Sequence, residues 1–66
     1  MTVAAKLQQT IGALTGAQAS VEMMALQSKD PVAKEKYLEA ALELNRTLYS
    51  LNQRLADIEK EEPQYR

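Results

Sequence analysis

The residues of this chain that can do chemistry are carboxylates, hydroxyls, phenols and lysine amines, because its 66 residues include no Cys and no His. Glu35, Glu39 and Glu43 recur every four residues, a spacing that stacks three carboxylates along one side of a helix. Such a row is the raw material of a divalent-cation or acid/base site, yet on an exposed helix with no imidazole beside it a row of this kind ordinarily only solvates. Glu59, Glu61 and Glu62 pose the same question further on. Their negative charge opposes the dipole at a helix C-terminus, so they either fray that end or meet something basic. Ser20, Ser28, Ser50, Thr10, Thr15 and Thr47 are scattered, and no imidazole is present to activate them. Gly12 and Gly16 follow no strand and make no phosphate-binding loop. The expectation is a non-enzymatic protein with no catalytic, cofactor-binding or metal-ligating residue.

The elements that carry these groups are set by apolar spacing. Tyr37, Ala41, Leu44, Leu48, Leu51, Leu55 and Ile58 follow one another at gaps alternating between four and three, the pattern of a helix presenting a continuous seam to another helix. Asp30 suits an N-cap and Pro31 the first helical position, so this second helix is expected from about 31 to 61, stopped by Pro63, with residues 62–66 as a tail. A first helix is expected from about 3 to 27 behind Thr2 as N-cap, with a turn at 28–30. Its inward stripe reads Val3, Leu7, Ile11, Leu14, Val21 and Ala25, with Gln18 as a register device or a partly wet position. Two helices joined by so short a turn fold back as an antiparallel hairpin forming one all-α domain.

Three features exceed what one hairpin can cover. Ala5, Gly12, Gly16, Ala19 and Met23 project within about 60° of one another and form a groove of small residues on the far side of the first helix. Two glycines there mean either close approach of another helix or a kink. Leu38, Leu42, Tyr49 and Ala56 form a second apolar ridge beside the seam. No side chain from Leu7 to Val21 carries a charge. A chain this short buries only about 60% of its unfolded surface, and with no cysteine or histidine to staple it, oligomerisation is the remaining remedy. A homo-oligomer is expected, a dimer forming a four-helix bundle or a larger assembly such as a tetramer, with Ala5, Gly12, Gly16, Ala19, Leu38, Leu42 and Tyr49 at the interface.

The remaining surface is charged. Glu43 with Arg46 and Arg54 with Asp57 lie three apart and are expected to pair. A net charge of −1 without a basic cluster argues against nucleic acid as a partner. No stretch approaches the roughly 20 apolar residues of a membrane span, and the start lacks the pattern of a secretory signal, so a cytoplasmic location is expected.

Met1-Thr2-Val3, the segment Gly16-Ala17-Gln18-Ala19-Ser20 followed by Ala25-Leu26-Gln27, Ala33-Lys34 with Tyr37, and the ending Ile58-Glu59-Lys60-Glu61-Glu62-Pro63-Gln64-Tyr65 closely resemble a small bacterial family, domain of unknown function 1657. The resemblance implies a short protein of endospore-forming Firmicutes, often encoded beside SpoVA-type genes, with a role in spore formation, resistance or germination and a forespore or spore location. It carries no catalytic residue over. It draws attention to Glu61, Glu62, Pro63, Gln64 and Tyr65 as a partner-contact tail. It also marks one departure, since many relatives have proline where this chain has Gln53. The leading expectation is a self-associating structural or interaction protein. The alternatives are an accessory factor docking on a SpoVA-type membrane protein complex, or a ligand- or metal-binding bundle.

Overall fold

The computed structural model describes residues 2–61. Two α-helices make up the structure, α1 (Val3–Gln27) and α2 (Pro31–Glu61), packed on each other as an antiparallel hairpin. Thr2 caps α1 with extended backbone, its hydroxyl oxygen accepting the Ala5 amide at 3.0 Å. That bond satisfies one of the amides a helix start leaves without a partner. The Ser28 amide donates to the Met24 carbonyl at 3.0 Å and closes the last turn. Asp30 then starts α2: its carboxylate accepts the Val32 amide at 3.2 Å, while Pro31 occupies the position where no amide hydrogen is missed. The hairpin measures 51 × 17 × 11 Å, and its radius of gyration of 15.3 Å is well above the roughly 11 Å of a compact domain this long. A rod has little interior. Among the described residues only Ala25, Ala41, Leu48 and Ile58 are buried.

The half-buried and buried positions of α1 are Ala4, Ala5, Leu7, Ile11, Leu14, Gln18, Val21 and Ala25; the expected Val3 is 63% exposed. The physical reason is register. Stepping back from Leu7 by the seam's own alternation requires a gap of three, which lands on Ala4; Val3, the first residue of α1, lies at the other edge of the stripe and is left uncovered. With Ala4 in place the two seams carry the same alternation read in opposite directions. Pairing the two alternations outward from the turn sets Ala25 level with Tyr37, Gln18 with Leu44, Leu14 with Leu48, and Ala4 with Ile58, a register in keeping with the depression that Gln18 and Glu22 share with Leu38, Ala41, Leu42 and Asn45. Gln18 occupies a half-buried seam position, and its Nε2 donates to Glu22 Oε2 at 3.3 Å. Its amide is thereby directed along the helix rather than into the core.

α1 runs unbroken through Gly12 and Gly16, with no positive φ in the described chain. A Cβ added at either glycine would meet nothing within 4 Å, so no close approach inside the hairpin demands glycine there. Ala5 departs from the row expected for it: it is half-buried at the edge of a shallow depression with Thr2, Ala4, Gln8 and Glu59, while Gly12, Gly16, Ala19 and Met23 are exposed.

Candidate functional site

Part of the acidic row is paired locally. Glu39 lies 3.9 Å from Lys36 and Glu43 accepts from Arg46 at 2.9 Å, so two members of the acidic row already face cations three residues away. Among the described residues no group of three acidic side chains is placed to hold a metal ion. Arg54 differs from expectation, for its guanidinium reaches Glu61 at 3.8 Å instead of turning to Asp57. Two helical turns separate Arg54 and Glu61, a span that two long side chains bridge more easily than a short aspartate reaches round the helix. These pairs are exposed, and each contributes a few tenths of a kcal/mol at most.

What the hairpin leaves uncovered is apolar. Leu38 and Leu42 are each 51% exposed and Tyr49 is 67% exposed, so the second ridge of α2 touches α1 only along its margin. Gln18 and Glu22 of α1 border a shallow depression with Leu38, Ala41, Leu42 and Asn45 of α2, which sets the ridge on the side of the rod where Glu22 emerges. At the other end Gln8 Nε2 donates to Glu59 Oε2 at 3.3 Å and joins the same two margins. Residues three and four apart share a helix face, so Gly12, Thr15 and Ala19 continue the column from Gln8 to Glu22, and Tyr49 and Asn52 continue the one from Leu42 and Asn45. One broad side therefore carries both Gly12 with Ala19 and the ridge Leu38, Leu42 and Tyr49. Gly16 and Met23 lie further round, pointing away from α2.

Three further polar groups on this side are occupied within their own helix. Thr15 Oγ1 donates to the Ile11 carbonyl at 2.7 Å, Asn52 Nδ2 to the Leu48 carbonyl at 2.9 Å, and Gln53 Nε2 to the Tyr49 hydroxyl oxygen at 3.0 Å. The opposite side of α2 bears Lys36, Glu43, Arg54, Asp57 and Glu61. Gln8, Thr15, Glu22, Asn45 and Asn52 were not among the residues the sequence reading singled out for this face. The signal was present: in an antiparallel pair, the positions that follow each seam by one step on the two helices come to lie on one side. Leu26 and Val32, 75% and 66% exposed beside the turn, were also missed. Of the proposed tail, Glu61 closes α2, whereas Glu62, Pro63, Gln64 and Tyr65, with the stop assigned to Pro63, lie outside the described residues.

No described helix is long and apolar enough to cross a membrane. The family described as "Protein of unknown function (DUF1657)" matches residues 7–55, which takes in the whole turn and every seam residue except the outermost pair, Ala4 and Ile58. No curated protein and no solved structure matches the chain.

Proposed function

Since the chain belongs to the DUF1657 family, a family of unknown function, we propose from its own surface that it is a non-enzymatic interaction protein, a helical hairpin that works by associating with copies of itself. The observation that carries this is the ridge of Leu38, Leu42 and Tyr49, at least half exposed at each position on a rod in which only four of the described residues are buried. Leaving a Leu-sized side chain in water forgoes roughly 1.5–3 kcal/mol, and covering several per chain offsets the entropy lost on association. Placing a charge in the ridge, Leu42→Glu, is expected to abolish assembly measured by light scattering at tens of micromolar, while Ser50→Glu on the charged side leaves it intact. A monomeric parent, or two variants that assemble as well as the parent, would overturn the proposal.

We extend the proposal to a role in spore formation, resistance or germination, supported by the SpoVA-type gene neighbourhood that the resemblance implies. A deletion strain is expected to yield spores with altered heat resistance or germination rate. Spores indistinguishable from the parent's in both respects would remove this part of the proposal and leave the self-association untouched.

A further inference from the structure

The uncovered side carries a bulky row on α2 and a small row on α1, and the register of the seams sets them at matching heights. Leu14 stands level with Leu48, so Tyr49 stands level with position 13 and hence beside Gly12. Leu42 stands level with position 20, beside Ala19. Each match is within one residue, about 1.5 Å along the axis. Resting on the self-association proposed above, we infer that two copies pack through this side about a twofold axis parallel to the rod, with α2 of each copy against α1 of the other.

Size complementarity selects this axis. A twofold axis along the rod keeps every residue at its own height and exchanges the helices, so Tyr49 of one copy meets Gly12 of the second and Leu42 meets Ala19. A twofold axis across the rod sets α1 on α1 and α2 on α2. Bulky side chains then collide while the small rows face each other over a gap, and a gap forfeits the dispersion contacts its lining would make. The first arrangement also explains two glycine and alanine positions that nothing inside the hairpin requires, since a Cβ at Gly12 is free of contact within the chain.

Area and charge fit a second copy. The part of the face backed by both helices is about 38 Å long and up to 17 Å wide. It presents at most about 650 Å² per chain and about 1,300 Å² for the pair, which reaches the lower end of the range of about 1,200–2,000 Å² typical of stable interfaces. Its two carboxylates near α1 and α2, Glu22 and Glu59, each accept from a glutamine amide of the same chain. The charged side with Lys36, Arg54 and Glu61 stays outward in both copies.

The native chain has no cysteine, so introduced thiols report cleanly. One preparation carries Ala19→Cys, another Leu42→Cys, and a mixture of the two is treated with a short bismaleimide. Cross-linked pairs in the mixture are expected to exceed those from either preparation alone by several-fold, and Gly12→Cys mixed with Tyr49→Cys is expected to behave likewise. Self-linking of the Leu42→Cys chain as the main product would overturn the arrangement, and so would a parent that is dimeric by light scattering while neither mixture links. A monomeric parent would instead remove the self-association itself.

Discussion

Leu48→Ala is expected to lower the stability of the hairpin by about 2–5 kcal/mol, the range for truncating a buried leucine. Leu48 is 7% exposed, and the other buried side chains among the described residues are two alanines and Ile58, which makes it one of two branched aliphatics sealed from water and the one at the middle of α2. Its removal strips one layer from a seam that is a single row deep, with no second shell to collapse into the space. Ser50→Ala, two residues on and exposed, is the comparison and is expected to change little. Chemical denaturation followed by circular dichroism, at one fixed protomer concentration because association adds to apparent stability, gives the difference. A loss below about 1 kcal/mol for Leu48→Ala would mean that the seam is not the core.

The same seam explains what was legible in the chain. On α2 every seam position is aliphatic or tyrosine and the flanking positions are mostly polar, so period and phase could both be read. On α1 the period was legible and the phase was not at its start: Val3 is the more apolar residue, Ala4 the one that keeps step, and register outweighed hydrophobicity. The turn could be read because Asp30 and Pro31 each satisfy a different demand of a helix start. Arg54 shows the opposite case: the local rule for residues three apart chose Asp57, and the guanidinium reaches Glu61 seven positions ahead. For the candidate face, the ridge and the small-residue row were visible separately. Their shared side and common height emerge only when the two seams are aligned, because a helix wheel drawn for one element carries no information about its neighbour.

Gln53→Pro is expected to cost about 3 kcal/mol or more, because α2 runs without interruption from Pro31 to Glu61 and position 53 lies well inside it. Proline there removes the amide that bonds the carbonyl of Tyr49 in an α-helix, and its ring clashes with that carbonyl. The bend that follows falls between Leu51 and Leu55, two half-buried seam residues, and swings the last turns of α2 away from Ala4 and Leu7. The side chain contributes separately, since Gln53 Nε2 donates to the Tyr49 hydroxyl oxygen at 3.0 Å. Gln53→Ala isolates that exposed hydrogen bond and is expected to have a small effect, so the difference between the two variants reports the backbone alone. Relatives in which the resemblance expects proline at this position must close the end of their hairpin by a different route. In this chain, denaturation that placed Gln53→Pro within about 1 kcal/mol of Gln53→Ala would show that the α2 seam beyond position 53 contributes little to holding α1.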